Sequence, residues 1–182
     1  MENPGIRCFS PEDFQEIVEI EIEAFSEHNP LLYMNFYESV GDGFLVAEKS
    51  GKVLGFVVGY RSAENEGHIF SLGVKREYRG RGTGTKLVYA ICDLFAANGL
   101  KYARLEVRIS NKKARKLYRS IGFVPCWLEK KYYLDGEDGL VMKMHLHPYR
   151  LLISKKKYLE EDFQKNKTIP SFSGRFSYGP SV

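Results

Sequence analysis

The chain of 182 residues is 43% hydrophobic, which is enough to bury the core of one domain without cross-links. Its cysteines, Cys8, Cys92 and Cys126, form no Cys-x-x-Cys or Cys/His cluster, so neither a disulfide framework nor a zinc site is indicated, and buried reduced thiols are expected. No basic and apolar leader opens the sequence and no apolar run reaches membrane-spanning length, so we expect a cytoplasmic protein without a membrane segment.

The net charge of +4 is unevenly distributed along the chain. Residues 1–66 contain four Lys/Arg and thirteen Asp/Glu, whereas residues 67–149 contain sixteen and seven. A basic half suits a ligand with several phosphates. Nucleic acid is the less favoured alternative, because much of the positive charge falls on the solvated face of one predicted helix, at Lys112, Lys113, Arg115, Lys116 and Arg119.

The first predicted element is a helix. Ser10-Pro11-Glu12-Asp13 is typical of a helix N-terminus, with an N-cap serine and proline at the first helical position. His28-Asn29-Pro30 interrupts the pattern before a second short helix through Phe36 and Tyr37. The buried stripe of the first helix is predicted at Phe14, Ile17, Val18 and Phe25.

Strand-like runs follow at residues 44–48, 53–61 and 68–74. The first two flank Ser50-Gly51, which predicts a β-hairpin. Gly73 lies inside the third run, where a glycine usually marks a bulge or a close backbone approach.

The segment Arg79-Gly80-Arg81-Gly82-Thr83-Gly84 stands between that strand and an amphipathic helix and is suited to a pyrophosphate. Such a turn aims several backbone N–H groups at one point, and the next helix adds the positive end of its dipole. The spacing is not that of a P-loop, because Thr85 and Lys86 stand where Gly-Lys is needed, nor that of a dinucleotide fingerprint. A Gly/Arg-rich surface turn is the alternative interpretation.

Two helices and further strands complete the pattern. Asn98-Gly99 is predicted to end the first helix, and Asn111 precedes the second. The order strand, helix, strand, helix, strand, strand over residues 68–146 predicts an α/β fold with a mixed sheet and helices on its faces. The apolar positions at helical spacing are Leu87, Val88, Ile91, Leu94 and Phe95, and then Ala114, Leu117, Tyr118 and Ile121.

Arg79 to Gly84 resembles the coenzyme A loop of the GNAT superfamily of acyl-CoA N-acyltransferases, which has the pattern Arg-x-x-Gly-x-Gly. Leu105 to Asn111, followed by Ala114, Leu117-Tyr118 and Gly122-Phe123, reproduces in order the strand, Asn turn and helix that follow this loop. Tyr132 to Asp138 is similar to the Tyr-Tyr-x-Asp-Gly-Glu-Asp hairpin of the RimI and Ard branch, the protein N-alpha-acetyltransferases, and of its archaeal members most of all. The resemblance covers residues 5–147.

The resemblance implies one GNAT domain over residues 1–147, with a mostly antiparallel sheet splayed at the coenzyme A site. It implies acetyl-CoA as cosubstrate, no metal, and acetyl transfer to protein N-termini by direct attack in a ternary complex. The alternatives are acetylation of a lysine or small-molecule amine, and a non-catalytic module that binds coenzyme A. Residues 148–182 lie beyond the family pattern as an extension with a short helix at 158–163, and a ribosome or partner contact there is less favoured than a peripheral tail.

Coenzyme A contacts are implied at Leu72, Gly73 and Val74 in the strand, at the loop residues and at Asn111 and Tyr118. Backbone N–H groups near Leu72 and Val74 would support the oxyanion. Asn111 would bond the pantetheine arm, or only cap its helix, or do both. The loop residues are Arg79, Gly80, Arg81, Gly82, Thr83, Gly84 and Thr85.

Glu106 and His68 stand where the archaeal branch has its base. An α-amino group titrates near 8 and a lysine near 10.4, so N-terminal transfer needs only mild base assistance. Alternation predicts that the strand neighbours of Glu106 point into the core and that Glu106 points into the cleft. The alternatives are an ion pair of Glu106 with Arg108, and a structural link between strand ends for His68.

The remaining implied roles concern the leaving thiolate and the acceptor. Tyr118 matches the general acid, and its helical position equally suits a core residue. Glu27 and Tyr132 or Tyr133 match positions that grip the first residues of a peptide, with a helix-terminus charge and strand aromatics as the alternatives. After Asp138 the branch usually has Ala-Tyr, whereas this chain has Gly139-Leu140, which leaves the fine substrate preference open.

Overall fold

The structure is a computed structural model that describes residues 4–25, 33 and 37–146, and these residues contain one seven-stranded sheet. Its strands are β1 (Gly5–Cys8), β2 (Phe44–Lys49), β3 (Lys52–Ala63), β4 (Glu66–Val74), β5 (Tyr102–Arg108), β6 (Val124–Glu129) and β7 (Gly139–His145). The spatial order is β1-β2-β3-β4-β5-β7-β6. β4 and β5 are parallel, and the other neighbouring pairs are antiparallel.

Helices cover both faces of this sheet. α1 (Phe14–Ala24) packs on one face, and α2 (Thr83–Ala97) and α3 (Lys112–Ile121) pack on the other. Alternation along β2 divides its side chains between the two cores: Phe44 and Val46 belong to the α1 core, and Leu45 and Ala47 to the α2 core. The predicted mixed sheet with helices on both faces is therefore observed.

The predicted local signals have identifiable physical causes. Ser50 and Gly51 have φ values of 53° and 75°, the left-handed pair that a two-residue hairpin between β2 and β3 requires. The backbone N–H of Ser10 donates to Asp13 Oδ2 at 2.8 Å, and a short 3₁₀ turn at Pro11–Asp13 leads into α1. In the predicted α1 stripe Ile17 and Phe25 are buried and Phe14 and Val18 are half-buried, while Ile20, which the stripe omitted, is fully buried.

β4 and β5 separate after a short paired stretch. Their pairing joins Glu66–His68 to Tyr102–Arg104, although β4 continues to Val74 and β5 to Arg108. α2 connects the two strands and packs behind the opening. The predicted splay of the sheet is thus present at this point.

A bulge in β4 decides which side chains face the opening. The register against β3 pairs Ser71 with Val58 and Ile69 with Gly59, so Phe70 is an extra residue. His68 and Phe70 consequently face the α1 side, and Leu72 and Val74 pack on the α2 side. Of the two interpretations of Gly73, a bulge or a close approach, the structure supports the close approach: a Cβ there would lie 2.7 Å from Phe56 and 2.9 Å from Ile20, whereas the bulge lies at Phe70.

Three further expectations need correction or fall outside the described residues. β1 was not predicted, because Gly-Ile-Arg-Cys carries little apolar alternation. Of the three thiols only Cys92 is buried, while Cys8 is half-buried and Cys126 is exposed on edge strand β6. Residues 37–40 are helical, and Phe36 and the extension at 148–182 lie outside the described residues.

In the described part of the chain no helix is long and apolar enough to cross a membrane.

Candidate active site

A cleft of about 510 Å³ opens where β4 and β5 separate. Its walls come from β4, from the loop between β4 and α2, from the first turns of α3 and from the end of α1. Nine of the residues predicted to contact coenzyme A line it: Leu72, Val74, Arg79, Gly80, Gly82, Gly84, Thr85, Asn111 and Tyr118. Five further residues, which the prediction did not include, complete the wall: Ala24, Phe25, Lys113, Ala114 and Leu117.

The loop before α2 presents backbone to this cleft. Gly80 and Gly82 have φ values of 74° and 83°, a backbone conformation that a side chain would disfavour. The first helical bond runs from Lys86 N–H to Gly82 O at 3.0 Å. The preceding N–H groups of the first helical turn therefore have no intrahelical acceptor, and with the helix dipole they favour an anion.

Three of the predicted loop and strand contacts do not line the cleft through their side chains. Arg81 lies over the Tyr78 ring at 5.7 Å, Thr83 is buried at the start of α2, and the missing side chain of Gly73 faces the α1 core. Arg79 does line the cleft, but its Nε donates to Val74 O at 2.8 Å. Its guanidinium therefore ties the loop to the end of β4, and a backbone contribution from the other three stays a prediction.

Tyr118 is fully buried and also forms part of the cleft wall. Its side chain is fully buried against the Phe123 ring, at 5.8 Å between centroids, and it lines the cleft. Its hydroxyl has no hydrogen-bond partner among the described residues. Burial raises the pKa of this hydroxyl above its ordinary value, so it stays protonated and available as a donor.

Asn111 shows both properties that the sequence left open. Its Oδ1 accepts from Ala114 N–H at 3.0 Å, so it caps α3, and it also lines the cleft. The cap positions the first turn of α3 against the opening.

Glu106 is the centre of a buried polar cluster on the face of β5 that points away from the α2 core. It is 2% exposed, and its neighbours Leu105 and Val107 point into the α2 core as alternation predicted. Its Oε2 lies 2.5 Å from His68 Nε2 and accepts from the Tyr132 hydroxyl at 3.2 Å. Its Oε1 lies 3.0 Å from Arg104 Nη1.

The charge state of Glu106 follows from these contacts. Burial alone raises the pKa of a carboxyl group. The positive charge that His68 has when protonated, its hydrogen bond and the charge of Arg104 together outweigh the burial and leave the pKa of Glu106 below its ordinary value. Glu106 is therefore held as a carboxylate.

The ion-pair alternative for Glu106 named the wrong arginine. Arg104 is the partner, two residues before Glu106 on the same face of β5. Arg108 instead pairs with Asp135 at 2.7 Å and Glu137 at 3.0 Å in the loop between β6 and β7. Arg108 pairs with this loop because the acidic residues of the loop reach the end of β5. Residue spacing along β5 does not indicate that contact.

His68 has a second partner that the sequence did not indicate. Its Nδ1 lies 2.8 Å from the Tyr60 hydroxyl, and the two rings meet edge-on with 5.2 Å between centroids. Tyr60 is opposite His68 in the β3–β4 register, so the contact follows from strand pairing and the bulge. His68 thus links β3, β4 and β5 while sharing a hydrogen bond with Glu106.

The loop between β6 and β7 places the predicted acceptor residues. Tyr132 donates to Glu106, and Tyr133 is buried under the Arg108 guanidinium, whose Cζ lies 3.9 Å from the ring centroid. A Cβ at Gly139 would lie 3.0 Å from the Tyr132 ring, so this glycine allows the ring to pack closely. Leu140 is buried in the α2 core, and Glu27 lies outside the described residues.

Arg104 and Tyr60 are the members of the Glu106 cluster that sequence reasoning missed. Their types alone are common on strands, and the available signal was position: Arg104 shares the face of Glu106 by alternation. In the described ranges 4–25, 33 and 37–146, no group of three or more His, Cys, Asp or Glu residues could hold a metal ion.

Residues 14–123 match the family model described as "Acetyltransferase (GNAT) family". An uncharacterised N-acetyltransferase of Methanocaldococcus jannaschii is 42% identical over 139 residues, which cover 75% of this chain and 88% of that protein. An N-alpha-acetyltransferase of Sulfolobus acidocaldarius is 31% identical over 156 residues, covering 77% and 91%. The crystal structure of Ard1 from Thermoplasma volcanium has a TM-score of 0.76 to this chain at 28% identity, covering 79% and 98%.

Proposed function

Because this chain belongs to the GNAT acetyltransferase family, we propose that it is an acetyl-CoA-dependent N-alpha-acetyltransferase that acetylates the N-terminal amine of proteins. The family and the fold predicted from the sequence are both confirmed. The reaction is direct attack of the amine on the thioester in a ternary complex. Relatives named as N-alpha-acetyltransferases support the acceptor class.

One observation carries the proposal at the level of chemistry. A buried carboxylate–imidazole pair, Glu106 and His68, stands on the two strands whose separation opens the cleft. Burying such a pair is unfavourable unless its members are hydrogen-bonded or used in chemistry. A base on one side of the splay and an anion-binding loop on the other are what transfer from a thioester to an amine requires.

The residues divide the proton transfers between them. Glu106 and His68 take up the proton of the acceptor amine, directly or through a water molecule. The Tyr118 hydroxyl, buried and without a protein partner in the described region, supplies a proton to the departing thiolate. Backbone N–H groups near Leu72 and Val74 support the developing oxyanion.

The cleft residues fit coenzyme A as the bound cosubstrate. The glycine turn and the first turn of α2 would hold the pyrophosphate, because the N–H groups before Lys86 have no intrahelical acceptor and the helix dipole favours an anion there. Lys113 adds a positive charge to the cleft wall. The edge of β4 beyond His68 is not paired with β5 and would accept the pantetheine arm. The acetyl thioester supplies the activated acyl group.

The acceptor would approach the opposite side, where Tyr132 and Tyr133 lie in the loop between β6 and β7. An α-amino group is partly neutral at physiological pH, which suits a site with one mild base. Finer points stay proposals: a cytoplasmic location, Glu27 as an acceptor contact, and a ribosome or partner contact through residues 148–182.

The test combines purified protein, acetyl-CoA and short peptides that begin with Ser, Ala, Thr, Met-Leu or Met-Glu, together with N-blocked peptides that contain one lysine. Product formation is followed by thiol release, and tandem mass spectrometry locates the acetyl group. We expect acetyl on the α-amine of at least one peptide. Acetyl on lysine alone, or none despite measured acetyl-CoA binding, would overturn the proposal.

A further inference from the structure

His68 is enclosed between two hydrogen-bonding partners, Glu106 at Nε2 and Tyr60 at Nδ1. We propose that Tyr60 is a proton relay to His68. Its hydroxyl passes the proton of the acceptor amine to Nδ1, while Glu106 and Arg104 hold the imidazole in one tautomer. This inference rests on the proposed function and extends it to a residue on β3.

The first step concerns the tautomer. An ionised carboxylate only accepts hydrogen bonds. Glu106 accepts from Arg104 at Oε1 and from Tyr132 at Oε2, which fits the ionised form. The 2.5 Å contact between Glu106 Oε2 and His68 Nε2 therefore places a proton on Nε2. Neutral His68 then has its one basic lone pair on Nδ1.

The second step concerns access to that lone pair. Tyr60 Oη lies 2.8 Å from Nδ1, and His68 is 4% exposed. Tyr60 is 7% exposed, so both side chains are buried, and Tyr60 covers Nδ1 as Glu106 covers Nε2. A proton that enters or leaves Nδ1 consequently passes through the Tyr60 hydroxyl.

The third step concerns both charge states of the pair. With neutral His68, Tyr60 donates to Nδ1; with the imidazolium, Nδ1–H donates to Tyr60 Oη and the hydroxyl proton turns away from Nδ1. A tyrosine hydroxyl can donate and accept, so both states keep their hydrogen bonds without movement of heavy atoms. Glu106 stabilises the imidazolium from the other side.

The proton balance of the reaction is complete. The amine nitrogen bonds to the carbonyl carbon, the C–S bond breaks, and the thiolate leaves with the electron pair and takes a proton from Tyr118. The amine proton passes to Tyr60 Oη, directly or through water, as the proton of Tyr60 moves to Nδ1. After release of the products, the imidazolium returns its proton to solvent and Tyr118 takes one up.

A double-mutant cycle in the full-length protein tests the relay. We expect Tyr60→Phe to lower kcat by about 10- to 100-fold, and to change it by less than about twofold when His68 is already Gln. The affinity for acetyl-CoA should stay within about twofold throughout. An unchanged kcat in Tyr60→Phe, or the same fold loss in both backgrounds, would overturn the proposal.

Tyr102→Phe is the matched control. Tyr102 also meets a histidine edge-on, His145 at 4.9 Å between centroids, and it is 41% exposed on β5 outside the Glu106 cluster. Removal of its hydroxyl should leave kcat within about twofold of the wild type, since it lies at no step of the transfer. A loss equal to that of Tyr60→Phe would attribute the effect to general packing and contradict the relay.

A second measurement does not depend on turnover. The chain has four histidines, so ¹⁵N-histidine labelling with His68→Gln for assignment isolates the His68 ring signals. We expect neutral His68 to carry its proton on Nε2, and a proton on Nδ1 instead would overturn the proposal. If no peptide is acetylated, the proposed function falls while this tautomer test still stands; if peptides are acetylated and Tyr60→Phe matches the wild type, only the relay falls.

Discussion

The two sides of the β4–β5 opening are built on opposite principles. On the acceptor side, the Glu106 carboxylate has three polar partners, and His68 has one at each ring nitrogen. On the coenzyme side, the wall is mostly backbone and apolar side chains, and the Tyr118 hydroxyl is buried without a hydrogen bond to any described residue. The polar side chains of this wall are those of Arg79, Thr85, Asn111 and Lys113. The first side is complete within the protein, whereas the second leaves donors to be satisfied by a bound molecule.

This difference separates stability from binding. A change on the acceptor side breaks contacts that also hold three strands together, so it should lower both turnover and stability. A change on the coenzyme side that removes a group without a protein partner in the described region, such as the Tyr118 hydroxyl, should lower turnover or binding at no loss of stability. Substitutions on the two sides test this separation.

The largest effect is expected for Glu106→Gln. Turnover should fall by about 10²–10⁴-fold, because the amide is not a base and no longer stabilises an imidazolium. The free energy of unfolding should also fall by about 1–3 kcal/mol, since the buried contacts to His68 and Arg104 are weakened. Steady-state kinetics and urea denaturation measure the two quantities. If acetyl-CoA affinity is lost instead of turnover, Glu106 has a structural role only.

Tyr118→Phe should separate the two quantities most clearly. Turnover should fall by about 10²-fold, because the thiolate loses its proton donor. The free energy of unfolding should rise by about 1 kcal/mol, because a buried hydroxyl without a protein hydrogen bond is removed and the ring contact with Phe123 remains. Unchanged turnover would remove Tyr118 as the general acid, and lower stability would show that its hydroxyl is used by the fold.

Gly84→Ala tests the backbone wall of the cleft. Its Cβ would lie 3.7 Å from Leu117 and Val74, an ordinary contact, so the fold accepts it while the methyl group enters the cleft. Acetyl-CoA affinity should fall about 10-fold, as measured by calorimetry. Stability should change by less than about 1 kcal/mol, since alanine is favoured over glycine in a helix.

Gly82→Ala is the matched variant for that position. Its φ of 83° makes a side chain unfavourable although the space around it is open. This substitution should lower stability by about 1–2 kcal/mol together with acetyl-CoA affinity. Wild-type affinity in Gly84→Ala would contradict the placement of coenzyme A on this loop.

The smallest effect concerns acid stability. The folded-state pKa of Glu106 is below its unfolded value, so its contribution is present above about pH 4.3 and is lost as the pH falls through the folded-state value. The stability difference between the wild type and Glu106→Gln should therefore shrink as the pH falls below about 4. Denaturation at pH 7, 4 and 3 measures it, and a difference that is constant with pH would show that the carboxylate charge does not contribute.

Much of the fold was predictable because its signals are local. The turn at Ser50-Gly51, the end of α2 at Asn98 and the cap at Asn111 are each decided by a few neighbouring residues. The glycine loop at residues 79–84 indicated a pyrophosphate-containing cosubstrate for the same reason. The family resemblance added the splay of the sheet, which no local pattern indicates.

The partners of the candidate base were not predictable because they depend on register. Tyr60 meets His68 across a strand pair that contains a bulge, and the sequence does not show where the extra residue lies. Arg104 and Arg108 are equally spaced from Glu106 on one face of β5. Arg104 is the partner of Glu106 because Arg108 pairs with acidic residues of a loop that is distant in sequence.

The most direct test of the account is a competition within one molecule. A peptide with a free N-terminal serine and one internal lysine is incubated with the enzyme and acetyl-CoA at pH 7.5, and the acetyl group is located by tandem mass spectrometry. We expect acetyl on the α-amine alone, and loss of this product with Glu106→Gln under saturating acetyl-CoA. Acetyl on the lysine, or an equal rate for Glu106→Gln, would contradict it.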